Sequence, residues 1–219
     1  ISVKLSALYP RYELAKREDV LRNLTPRLRS LALLAKSAGM GLNVDAEEVD
    51  RLGLSIEVIE AVISERALAD WDGFGIVVQA YGPRAAAAID ILYNMAIKHD
   101  RRIMVRLVKG AYWDTEIKNA QQDGLEHFPV FTRKSSTDVS YHACANRLLA
   151  YKDTIYPQFA THNAYTASVI LEFSWRRSWQ LPPLGLIYHR LQLSLVRYRS
   201  GSVLDYKISY PILCPASSY

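Results

Sequence analysis

In this 219-residue chain, the residues best suited to chemistry are polar side chains set at the ends of short apolar runs. Asp45 follows the run at 42–44, Gln79 closes the run at 76–80, and Arg106 interrupts the run at 103–108. Lys134 ends the stretch at 130–134, and His162 lies at the polar exit of the stretch at 156–163. A charge inside an apolar strand is costly unless something pairs with it, so Arg106 is the most informative of these. Gly110, Tyr112 and Trp113 follow it closely. Cations, an amide, a histidine and aromatic rings around one opening suit a large ligand that is both anionic and aromatic. A flavin dinucleotide meets that description: cations for the pyrophosphate, hydrogen-bond donors for the ring, an aromatic face to pack on.

Each residue taken singly has a plainer reading. Arg106 could form a structural ion pair with a nearby acid, and Lys4 and Asp45 could pair with each other. His162 alone reads as a satisfied core histidine, and Tyr112-Trp113 as packing. Lys109-Gly110 lacks the spacing of a phosphate-binding loop. Cys144 and Cys214 make no metal-ligand spacing, so no metal is expected, and a reduced, cytoplasmic compartment is the simpler reading.

The elements that must position these residues follow from periodicity. Strands are expected at 1–8, 42–44, 76–80, 103–108, 130–134 and 156–163. Helices are expected between them: 18–38, with a kink or restart near Thr25-Pro26; 49–66; from Pro83 to about 99; 115–124; and from a Thr137-Asp138 cap through 149. Six alternating β and α units predict an α/β fold with helices outside a parallel sheet, the arrangement of a TIM-type barrel, incomplete here at six units. The polar residues then gather at the C-terminal ends of the strands, the active face of such a barrel.

Composition bounds the reading further. Half the residues are hydrophobic and 22% are charged, as in a globular domain. No apolar run approaches the roughly 18–20 residues of a membrane span. The absence of an initiator Met suggests a fragment or excised domain. Residues 171–219 hold six Lys/Arg and two acids, which leaves 21 and 20 of the chain's 27 and 22 in the body. The body therefore carries no electrostatic footprint for nucleic acid. The pattern changes near residue 170, which divides the chain into a partial barrel at 1–170 and a divergent basic tail at 171–219 that resembles unrelated or out-of-frame sequence. Strand-like stretches remain at 184–188, 191–196 and 207–210. Arg176-Arg177 with Trp175 and Trp179 would suit a nucleic-acid or anionic-lipid patch, the weakest reading.

Several long runs resemble the proline dehydrogenase domain of the bifunctional bacterial proline utilization A family. They are Ile1-Ser-Val-Lys-Leu-Ser-Ala-Leu-Tyr-Pro-Arg-Tyr12, Asn43-Val-Asp-Ala-Glu-Glu48, Val78-Gln-Ala-Tyr81 and Met104-Val-Arg-Leu-Val-Lys-Gly-Ala-Tyr-Trp-Asp114, then Thr132-Arg-Lys134, Thr137-Asp-Val-Ser-Tyr141 and Tyr156-Pro-Gln-Phe-Ala-Thr-His-Asn163. The resemblance implies a distorted (βα)8 barrel that binds FAD and oxidises L-proline to Δ1-pyrroline-5-carboxylate by hydride transfer to flavin N5. A quinone would then accept the electrons, with peripheral association of the full-length enzyme at the inner face of the bacterial membrane. It also implies residue roles. Arg106 lies by N5 and Gln79 contacts the ring, while Val108, Gly110, Ala111 and Trp113 line the cofactor, as do Thr132, Lys134, Thr161 and His162. Lys4, Asp45 and Tyr112 form the proline pocket, with Lys4 holding the carboxylate. Two departures are small: Phe131 where many relatives have Tyr, and Gly82-Pro-Arg-Ala at a helix start. A larger one is the end of the chain, where residues 171–219 show no match to the family's last helix, its paired arginines on the proline carboxylate or its closing tyrosine. The alternative is therefore a catalytically inactive remnant.

Overall fold

The computed structural model describes residues 1–176 and the short strand at 185–187. Six strands form one sheet, each parallel to its neighbour and in chain order. They are β1 (Ser2–Val3), β2 (Leu42–Val44), β3 (Phe74–Gln79), β4 (Ile103–Val108), β5 (Ile155–Ala160) and β6 (Gly185–Ile187). The helices are α1 (Leu5–Leu8), α2 (Arg17–Ser37), α3 (Leu52–Ile63), α4 (Ala85–Lys98), α5 (Trp113–Gln122), α6 (Lys134–Ala150) and α7 (Ala164–Arg176). This is the α/β architecture expected from the alternation. Among the described residues, no helix is long and apolar enough to cross a membrane.

The strand sequences decide which face goes where. In β4, Ile103, Val105 and Leu107 are fully buried, while Met104, Arg106 and Val108 on the opposite face are half-buried. β5 repeats the pattern, with Ile155, Pro157 and Phe159 buried and Tyr156, Gln158 and Ala160 half-buried. The apolar face of the sheet lies under the helices, and the mixed face looks into the barrel interior. The helices answer at their own period. Val20, Leu24, Leu28, Ala32 and Ala35 of α2 are buried, as are Ala85, Ala88, Ile89, Leu92, Met95 and Ala96 of α4. Each fully buried Val or Leu contributes about 1.5–3 kcal/mol of transfer free energy, and these rows form one continuous core.

The structure corrects several sequence expectations. The first strand is only Ser2–Val3, because its partner β2 is three residues long and the ladder ends where β2 ends. The chain then turns at Lys4 into the single helical turn Leu5–Leu8, which buries Leu5. Residues 130–134 are not a strand. The edge of β4 pairs with β5 instead, and Val-Phe-Thr is left as a loop held by the Phe131 N–H donating to the Tyr81 carbonyl at 2.7 Å. Lys134 therefore begins α6, and Thr137-Asp138 lies inside that helix instead of capping it. Pro26 does not restart α2, which runs unbroken from Arg17 to Ser37. The strand expected at 156–163 ends at Ala160, and Asn163 then caps α7, its side-chain oxygen accepting from the Thr166 N–H at 2.9 Å.

Strand-like residues 184–188 supply β6, which pairs with β5 from Gln158 to Ala160. The stretches at 191–196 and 207–210, Cys214 and the side chains of the Trp175–Trp179 cluster lie outside the described residues.

Candidate functional site

Strand register brings the polar residues together. On the inner face Val77, Arg106 and Gln158 stand in one row, with Gln79 opposite Val108 one step closer to the C-terminal ends. Val3 pairs with Val44, and Val44 with Ile76, so Lys4 and Asp45, each the next residue along, join the row of Val77 and Arg106. Period-two alternation over five strands thus converts scattered sequence positions into a floor and a rim.

Arg106 forms the floor. Its Nε donates to Gln158 Oε1 at 3.2 Å, and one terminal nitrogen donates to Ser2 Oγ at 3.1 Å. Both partners are neutral. Burial pulls its pKa down, opposed only by the more distant Asp45. Among the described residues no carboxylate lies within ion-pair reach of it, so it is not the structural ion pair that was the plainer reading. The Lys4–Asp45 pairing is not formed either. Lys4 Nζ donates to Tyr112 Oη at 2.8 Å and sits 5.3 Å from that ring's centroid. That hydrogen bond is the main reason the Lys4 pKa is raised, and Asp45 adds only a weak longer-range contribution.

Above the floor is a cavity of about 690 Å³. Lys4, Asp45, Gln79 and Tyr112 line it, together with Val108, Gly110 and Ala111 from the end of β4. Lys134, Thr161 and His162 complete the sequence-predicted residues in its wall. Trp113 and Thr132 line a second cavity of about 390 Å³, which shares Lys109, Gly110 and Lys134 with the first. Of the thirteen residues singled out from sequence, only Arg106 lines neither cavity, although Lys4, Asp45 and Val77 of the same row line the first.

Local conformation explains the shape. Gly110 has φ +139°, and a Cβ there would lie 2.3 Å from the Tyr81 ring. Only glycine lets the chain leave β4 this close to Tyr81. Gln79 ties two loops together: its amide nitrogen donates to the Glu47 carbonyl at 2.9 Å, and its amide oxygen accepts from the Ala111 N–H at 3.2 Å. Trp113 is fixed by its indole N–H, which donates to the Phe131 carbonyl at 2.8 Å. Lys109 pairs with Asp138 and holds that carboxyl below its usual range, while Lys134 lies 3.6 Å from the same carboxylate.

Sequence reasoning missed Gln158 and Ser2, the partners of Arg106, and Tyr141. The buried Tyr141 hydroxyl lies 3.3 Å from the Leu107 carbonyl and 3.2 Å from that of Ala160, so it bridges the ends of β4 and β5. Gln158 carried a usable signal, being a lone amide in an otherwise apolar strand, as Arg106 is a lone charge in the next one. Tyr141 had none, since a tyrosine in an amphipathic helix reads as ordinary core.

The family profile described as proline dehydrogenase matches residues 1–184. The bifunctional protein PutA of Escherichia coli K12 is 49% identical over 211 residues, which are 96% of this chain and 16% of that protein. PutA of Rhizobium meliloti is 54% identical over 175 residues, 78% of this chain and 14% of the relative. This chain therefore spans about a sixth of the length of the curated relatives it matches. Among solved structures, a point mutant of proline utilization A from Bradyrhizobium japonicum has a TM-score of 0.79 at 55% identity, covering 80% of this chain and 18% of the other. The Bdellovibrio bacteriovorus protein inactivated by N-propargylglycine has a TM-score of 0.80 at 34% identity, covering 85% and 19%. The runs that built the floor and rim thus lie within a match extending from the first residue through β5 and α7 to residue 184, and the chain belongs to the proline dehydrogenase family.

Proposed function

We propose that this chain forms the flavin-binding barrel of a proline dehydrogenase that oxidises L-proline to Δ1-pyrroline-5-carboxylate with FAD as cofactor. The observation that carries the reading is Arg106, a half-buried guanidinium whose partners are both neutral, in the row whose other members Lys4, Asp45 and Val77 line a large cavity. A desolvated cation without a carboxylate is costly in a resting protein and useful where an electron-rich group is to be held.

The residues present fit the cofactor. Two adjoining cavities give room for a long ligand, with Gly110 lining both. Trp113 and Phe131 offer aromatic surface at the second cavity, while Lys134, Thr132, Thr161 and His162 offer polar atoms around the two. Bound there, FAD supplies the hydride acceptor. Proline loses a hydride from its ring carbon next to nitrogen and a proton from the nitrogen, which leaves the carbon–nitrogen double bond. Lys4, held cationic by Tyr112, faces the substrate carboxylate. Asp45 on the same rim balances positive charge at the substrate nitrogen, and Arg106 fixes the cofactor from below. Electron transfer onward to a quinone, and peripheral placement at the cytoplasmic face of a membrane, belong to the same proposal.

The test is direct. The purified chain should carry a flavin absorption spectrum and reduce a redox dye when proline is added. A colourless protein with no proline-dependent dye reduction overturns the proposal.

A further inference from the structure

A second carboxylate near the site is buried without a role in the reading above. Glu116, in the first turn of α5, is only 6% exposed, and its Oε1 accepts from the Val49 N–H at 2.7 Å. Its acidic neighbours Asp50 and Glu48 make that position electrostatically poor, relieved in part by Arg84. A neutral acceptor would satisfy Val49 at lower electrostatic cost, so placement needs a reason. The neighbourhood supplies one. The Glu116 N–H donates to the Tyr112 carbonyl at 2.9 Å, and Tyr112 is the N-cap of α5 and the partner of Lys4. On its other side the Val49 peptide is held by Arg84, whose guanidinium donates to the Val49 carbonyl at 2.7 Å. The segments following β2, β3 and β4 therefore meet at one residue, Val49, through its N–H and its carbonyl.

We infer that Glu116 is a positioning residue that latches the loop carrying Tyr112 to the segment following β2, and so sets the geometry of the Lys4–Tyr112 pair. The link to proline binding rests on the proposed role of Tyr112. The latch itself stands on the Glu116–Val49 hydrogen bond and the turn that joins Glu116 to Tyr112.

Three variants test it. Glu116→Ala removes the acceptor. Glu116→Gln keeps an oxygen in the same place without charge. Val49→Pro removes the donor at the first position of a 3₁₀ turn, where the preceding Glu48 is already extended (ψ 151°) and proline is tolerated. Two readouts are used: the split of KM and kcat for proline in the holoprotein, and amide hydrogen exchange over residues 109–118 in the flavin-free protein. The latch predicts that Glu116→Ala and Val49→Pro each raise KM by about tenfold, with a smaller change in kcat, and speed exchange in that segment, while Glu116→Gln restores both. Unchanged KM and exchange in the first two variants overturn it, as does a glutamine variant as impaired as alanine. If the wild-type chain shows no proline-dependent activity, the functional reading fails, and the exchange data still decide the latch.

Discussion

Replacing Arg106 with methionine separates a functional cation from a structural one. The side chain makes two hydrogen bonds to neutral groups and no ion pair. Losing two such bonds costs about 1 kcal/mol each. Removing a desolvated charge in favour of an apolar group of similar volume returns about 1–4 kcal/mol. The sum runs from a loss of about 1 kcal/mol to a gain of about 2 kcal/mol, so the melting temperature should fall by no more than roughly 2–4 °C for a domain of this size. Activity should not be spared. A charge-assisted contact to a ligand contributes about 1.5–3 kcal/mol, which is roughly a 10- to 150-fold loss in kcat/KM. Thermal unfolding and dye-linked proline oxidation on the same preparation provide the assay. Had Arg106 been half of a buried ion pair, breaking it would cost about 3–5 kcal/mol and lower the melting temperature by roughly 6 °C or more. A large fall in melting temperature, or full retention of kcat/KM, refutes the reasoning.

Other expectations follow from the same geometry. Tyr112→Phe removes the hydrogen bond that raises the Lys4 pKa and should raise KM for proline about tenfold, read from steady-state kinetics. Gly110→Ala places a methyl against the Tyr81 ring in a backbone conformation that L residues rarely adopt. It should cost about 1–3 kcal/mol and lower flavin content, measured by thermal unfolding and by absorbance. Asp138 is held below its usual pKa by Lys109, so its contribution to stability is present above the ordinary carboxylate value and lost as pH falls through the lowered one. Asp138→Asn should therefore flatten the acid side of the melting-temperature profile, and an unaltered acid side would show that the pair contributes nothing.

The parts of this molecule that could be read from sequence were those set by period and by local chemistry. Alternation in Ile103–Val108 marked both the buried face and the odd charge, and glycine followed by two aromatics marked the loop above it. Failures came where the partner decided the outcome. Residues 130–134 have the composition of a strand, yet β5 occupies the neighbouring edge. Residues 1–8 alternate, yet β2 offers only three residues to pair with. Arg106 and Lys4 were each given a plausible acidic partner, and register instead delivered Gln158, Ser2 and Tyr112 from 52, 104 and 108 residues away. Glu116 was invisible for the same reason, since its role depends on Val49 lying 67 residues upstream.

The central claim is that the cavity over Arg106 holds a flavin and oxidises proline. Anaerobic addition of L-proline to the purified protein, following the flavin's visible absorption and trapping the product with an aromatic aminoaldehyde, tests it in one vessel. The account predicts bleaching of the flavin band with formation of one Δ1-pyrroline-5-carboxylate per flavin. Flavin that stays oxidised in excess proline, or a protein that carries no flavin, contradicts it.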